Sequence, residues 1–272
     1  MGPYVPKRKG VRNNKWLPIL DKAIKKYIDD MNWNYDISEE YTEAEVENRH
    51  LSMKFFQELI KKFYGNKYDV EIYDNGCLLI VDQNGRKNFF RFDIMNNPKI
   101  KHILGKEAKI KVPEKRLEWE SIYHTIGNIA PIPRKKPKGK NISLQIRHNN
   151  LNERWDLFLE DLRKEWHGWE NGKDKLTISF NDYILMTCQQ MYFKKNYEDI
   201  VKIMGNRRKV DDLKDEELLD LYNKWKSKRL DESDEIISFD GDIEEAVDRI
   251  LVLIQLRGRL MMLLLAQNNN IK

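Results

Sequence analysis

Cysteine is nearly absent, with two residues, Cys77 and Cys188, in a chain of 272. They are too few for a disulfide framework and show no metal-ligand spacing. Proline (8) and glycine (13) are sparse as well, which excludes collagen-like and linker-like compositions. No apolar run approaches the ~18 residues that a membrane helix needs. The basic N-terminus lacks the apolar stretch of a secretory signal. Three motifs are missing: G-x-x-x-x-G-K-[ST], G-x-G-x-x-G and G-x-S-x-G. Their absence speaks against standard ATPase, dinucleotide-binding and hydrolase machinery. Together these absences predict a soluble cytoplasmic chain with no membrane partner.

What is present suits a packed core. Hydrophobic residues make up 40%, charged residues 34% and aromatics 11% of a 32.7 kDa chain. The net charge of +5 is unevenly spread. Residues 1–30 carry a net +5 and residues 98–140 a net +8, whereas 211–248 carry a net −10. Clustered cations attract polyanions by counterion release. The same runs also suit plain solvation of a large domain, or neutralisation in cis by the acidic stretch.

The pattern predicts an α+β fold: a small antiparallel meander packed by helices, with a mostly helical C-terminal half. Residues 1–15 read as a basic arm, 16–205 as the main domain and 206–272 as a helical extension packed on the same core. Ser38 suits a cap for a Glu-rich helix whose apolar stripe is Leu51, Phe55, Phe56, Leu59, Ile60 and Phe63. Runs 68–73, 77–82 and 87–94 are β-rich and separated by Asn-Gly signals, so they predict a three-stranded meander. Helices are expected over 118–126, 152–166, 179–203, 211–229 and 241–267. In the last of these, Arg249, Gln255, Arg257 and Arg259 interrupt an apolar pattern, which marks a core or interface helix.

Segment 122–166 holds the most specific motifs. Thr125, Ile126, Gly127, Asn128 and Pro133 are followed by Arg154, Trp155, Asp156, Leu157, Leu159, Leu162, Arg163 and Trp166. This pair resembles the T-I-G-[GN] turn and D-R-[FYW]-D-L-x-L helix of an uncharacterised bacterial and phage-associated family. The resemblance implies an α+β architecture and no established activity. In the intervening loop only Arg147 matches the family's Arg-Gly element. Gly127 is expected to turn at positive φ and to let another backbone approach. The motif pair can form a polar pocket from His124, Asn128, Arg147, Arg154 and Asp156, or a structural network tying helix to turn.

A second resemblance is to nucleases of the His-Asn-His class. His102 and Asn128 lie 26 residues apart, and the resemblance implies catalytic roles for both. Mg²⁺ or Mn²⁺ is implied as cofactor in that case alone. Asn141 or His148 would be the later ligand. Asp240 and Asp242 could hold a divalent ion, but they equally make an ordinary helix start.

Three functions follow as expectations. The first is association with nucleic acid through Lys7, Arg8, Lys9 and Arg12 and through Arg134, Lys135, Lys136, Lys138 and Lys140. The second is the metal-dependent nuclease. The third is an interaction module whose acidic helices and apolar 241–267 helix bind a protein partner or a second copy. Aromatics such as Trp119, Trp155, Trp166, Trp169 and Trp225 read mostly as core, with one or two able to stack on bases.

Overall fold

The computed structural model describes residues 47–73, 77–96, 113–123, 125–134, 155–170, 176–205 and 210–267. The N-terminal arm, the Ser38 cap and most of both basic runs lie outside the described residues. The three predicted strands form with the expected bounds, β1 (Tyr68–Tyr73), β2 (Cys77–Asp82) and β3 (Lys87–Ile94). A fourth, β4 (Ile129–Arg134), corrects the three-stranded meander to an antiparallel sheet in the order β1-β2-β3-β4. β4 carries Pro131 and Pro133, which cannot donate to a further strand, so it suits the sheet edge it occupies.

Helix α1, described over Glu47–Tyr64, covers one sheet face. Its Phe55, Phe56, Leu59 and Ile60 are buried with Tyr68, Val70, Ile72, Leu78, Ile80 and Phe90 of that face. Phe56 meets Phe92 with ring centroids 5.4 Å apart. Gln57 donates from Nε2 to the Val70 carbonyl at 2.7 Å, which fixes helix to strand and not only apolar surface to apolar surface.

Four helix expectations are revised. Helix α2 runs Pro113–Ile122, earlier than 118–126. Proline at its first position has the φ a helix needs and lacks only an N–H that would be unpaired there anyway. Helix α3 spans Trp155–Glu170, later at both ends than 152–166, and Gly168 lies inside it. It buries Trp155, Phe158, Leu159, Leu162 and Trp166 while Leu157 faces outward.

The single helix expected over 179–203 is two, α4 (Phe180–Met186) and α5 (Lys194–Met204). Between them Cys188 adopts a positive φ of 51°, which stops α4 and frees the Thr187 carbonyl for another donor. Helix α6 (Asp215–Lys226) is shorter than 211–229, because Val210–Asp212 forms a 3₁₀ turn. The Val210 and Leu213 carbonyls there accept from the Arg259 guanidinium.

Helix α7 (Ile243–Ala266) is the central strut. Its apolar residues are buried around most of its circumference, as for a helix surrounded by its own protein. The side chain of Asp242 accepts from the N–H groups of Glu244 and Glu245, so the 240–242 acids begin a helix. Asp242→Ala is expected to cost about 1 kcal/mol by urea denaturation. An unchanged midpoint would show the cap contributes nothing. No described helix is long and apolar enough to cross a membrane.

Candidate functional site

The Thr125–Asn128 turn joins α2 to β4, and the side chains of Thr125 and Asn128 both have internal tasks. Thr125 donates from Oγ1 to the Ile122 carbonyl at 2.8 Å and finishes α2. Asn128 is completely buried. Its Nδ2 donates to the Asn96 carbonyl at 2.7 Å and the Tyr123 carbonyl at 2.9 Å. Its Oδ1 accepts from Asn96 N at 2.9 Å and from Asn96 Nδ2 at 3.4 Å. An amide has two donors and two acceptor positions, so Asn128 keeps no capacity for a water or a metal. It clamps the end of β3 to the turn.

Of the two reasons expected for Gly127, one holds. It is not among the positive-φ residues. A Cβ built on it would stand 2.1 Å from the Ile254 carbonyl oxygen and 3.0 Å from Gly258 N, both on α7. The close approach expected of this glycine is therefore present, and the left-handed turn is not.

That approach brings α7 close enough for Arg257 to enter the turn. Its guanidinium is fully buried. Nη1 donates to Gly127 O and Ile129 O at 2.8 Å each and to Ile126 O at 3.3 Å. Nε donates to Thr187 O at 2.7 Å. Around it lie Tyr183, Tyr192 and Cys188, all fully buried. Burial pushes the Cys188 thiol up to about 12 and the Tyr192 phenol up to about 12, with Arg257 acting in the opposite sense on both. Cys188 is thus a protonated interior thiol and not a nucleophile.

Asp156 is also buried, in the first turn of α3, and its Oδ2 accepts from Phe239 N at 3.1 Å. It ties α3 to the segment entering α7. Asn128 and Asp156 therefore each act as internal ties to separate parts of the chain. His102, His124, Arg147, Arg154, Asn141 and His148 lie outside the described residues, as do Lys7, Arg8, Lys9, Arg12, Lys135, Lys136, Lys138 and Lys140. Arg134 is placed as the last residue of β4. Among the described residues no group of three or more His, Cys, Asp or Glu could hold a metal ion. The side chains of Trp119, Trp155, Trp166 and Trp225 are buried and so are not free to stack on bases.

An open polar cleft of about 420 Å³ lies elsewhere, between the β2–β3 turn and the segment leading into α4. It is lined by Lys67, Asp82, Asn84, Arg86, Thr177 and Asp182 among others. Partial desolvation raises the Asp82 pKa. Hydrogen bonds from Arg86 and from Asn84 N outweigh it and hold the carboxyl below the ordinary range. One of these bonds, Arg86 Nε to Asp82 Oδ2 at 2.7 Å, fixes the guanidinium. Its two Nη groups make no hydrogen bond among the described residues. Lys67 lies over the Tyr64 and Tyr68 rings at 5.2 and 5.1 Å, with Asp182 3.9 Å away.

Strand register gathers the cations at this end of the sheet. Tyr68 pairs with Asp82, Val81 with Lys87, and Phe89 with Arg134. Lys67, Arg86, Lys87 and Arg134 therefore stand at one end of the four strands. Asn96 and Asn128 mark the other. The sequence offered no signal for this grouping, since Lys67 and Arg86 are ordinary residues until the strands are paired. Arg257 did carry a signal, an arginine beside a glycine inside an apolar helix.

No protein-family model, curated protein or solved structure matches the chain.

Proposed function

We propose that the protein binds nucleic acid through its 134–140 basic run together with Lys67, Arg86 and Lys87, and that the Thr125–Asn128 turn is scaffold. The observation that carries this reading is the register, which sets Arg134 at the same sheet end as those three cations. From there the chain continues as Lys135, Lys136, Lys138 and Lys140 with no acidic residue among them. Lys67 and Arg86 are each next to one carboxylate, Asp182 and Asp82, and several cations elsewhere are paired as well: Lys115 with Asp248, Arg116 with Glu120, Lys194 with Glu235, Lys195 with Asp234, Lys224 with Asp199, and Arg259 with Asp215. Asp215, Asp234, Glu235 and Asp248 of the acidic 211–248 stretch are engaged by these neighbours. The run at 99–111 adds five lysines against Glu107. The likeness of residues 122–166 to bacterial and phage-associated proteins belongs to the same proposal, as a shared scaffold.

Phosphate contacts release counterions, so log affinity falls with log salt in proportion to the number of contacts. Fluorescence anisotropy of labelled DNA and RNA across a salt series is the test. Replacing Arg134, Lys135, Lys136, Lys138 and Lys140 with glutamine is expected to reduce the duplex-DNA slope by roughly four to five. Arg86→Gln with Lys67→Gln should reduce it further. No binding at low salt, or a slope indifferent to all seven changes, contradicts the proposal.

The interaction-module reading finds no support in α7, whose apolar residues are consumed by the chain's own core. The exposed large hydrophobics among the described residues, Leu117, Leu157 and Val201, sit on three different helices.

A further inference from the structure

The centre around Arg257 contains a positive charge that has no counter-ion among the described residues. A buried guanidinium stays protonated, and burial of a charge is costly unless it is paired. Three of its partners are carbonyls of the Ile126–Ile129 turn and one is Thr187 O. These are dipoles and carry no net charge. The titratable groups that act on it are Tyr192, Cys188 and Tyr183. Burial keeps all three protonated and neutral, and no carboxylate of the described residues acts on the guanidinium or is bonded to it.

Buried atoms without a partner occur on Arg257 itself, on residues bonded to the tyrosines beside it, and on Gln190 of the same 187–192 segment. Arg257 Nη2 is buried and has no acceptor. Gln190, 2% exposed, has neither Nε2 nor Oε1 partnered. It lies three residues beyond Thr187, on a 3₁₀ turn that contacts α7. Asn96 Oδ1 and Gln189 Oε1 are unpartnered acceptors in the network. Asn96 donates to Tyr192 OH at 3.2 Å and Gln189 donates to Tyr183 OH at 3.3 Å. Native interiors leave few such atoms, and a group of them points to a bound ion or water.

We propose that this centre holds a small monovalent anion, a halide in the simplest case, on Arg257 Nη2 and Gln190 Nε2. Water bridges it to the Asn96 and Gln189 oxygens. The anion supplies the missing counter-charge, and its place is at the junction of the turn, the 187–192 segment and α7. It is separate from the surface cations of the sheet end and independent of nucleic-acid binding.

Bromide is the probe. At constant ionic strength, with bromide exchanged for gluconate, the melting temperature of the full chain is expected to rise. The rise should be roughly 4 °C per tenfold bromide once its Kd is exceeded. A crystal grown in bromide should show an anomalous peak in hydrogen-bond reach of Nη2. Gln190→Glu puts a carboxylate where the anion sits, so this variant should fold and lose the bromide response. A melting temperature that follows ionic strength alone overturns the proposal, as does a site filled by water without anomalous signal. A peak without the thermal response marks an adventitious ion only and also overturns it. A Gln190→Glu protein that keeps the full bromide response overturns the placement.

Discussion

Arg257→Met is expected to lower the unfolding free energy by about 3–5 kcal/mol, measured by urea titration with tryptophan fluorescence. Methionine fills much of the space and leaves four carbonyls without their shared donor. Those carbonyls belong to the backbone, so no compensating substitution can remove them. Removing the guanidinium also relieves the desolvation of a charge, which is why the expected loss stays well under the sum of four bonds. Arg257→Lys should recover only part of the loss, because an ammonium cannot reproduce the planar fork that reaches both the turn and Thr187. A Met variant within about 1 kcal/mol of the parent would show that the turn holds its shape unaided.

The second large effect is Gly127→Ala, with an expected cost of about 2–4 kcal/mol. The added methyl would stand 2.1 Å from the Ile254 carbonyl oxygen and 3.0 Å from Gly258 N, and both atoms that it meets are backbone. Relief requires α7 to move away from the turn, and any such movement lengthens the Arg257 bonds. Gly127→Ala and Arg257→Met should therefore be strongly non-additive, the pair costing less than the two single changes together. Additivity would show two independent contacts.

The sheet was legible because its signals are local. Alternating β-rich runs and Asn-Gly turns located β1, β2 and β3 with the bounds observed. The stripe Phe55, Phe56, Leu59 and Ile60 showed which face of α1 is buried. β4 was harder to place, since Pro131 and Pro133 read against a strand until the edge position is known. The break at Thr187–Cys188 was hidden, because the apolar spacing runs through 179–203 and the reason to stop lies on α7, some seventy residues away.

The motif at 125–128 was found, and its role was only half visible. The sequence can show that Gly127 and Asn128 are unusual residues in that place. It cannot show that the Asn128 side chain gives all its hydrogen bonds to Asn96 and Tyr123, or that Gly127 makes room for Arg257. Both facts depend on pairings across 32 and about 130 positions. The same holds for the cleft, where Lys67 and Arg86 meet only after β1, β2 and β3 have paired.

Hydrogen exchange of the full chain, with and without saturating oligonucleotide, tests directly whether the basic run is the binding surface and the turn its scaffold. Peptides covering 134–140, and those containing Lys67 and Arg86, should gain protection on binding. Amides of 125–129 and 254–260 should already exchange only through global unfolding in the free protein, and should show no change beyond that of overall stability. Protection gained selectively at the turn, with none at 134–140, would place the ligand in the centre that Asn128 and Arg257 occupy and contradict this assignment.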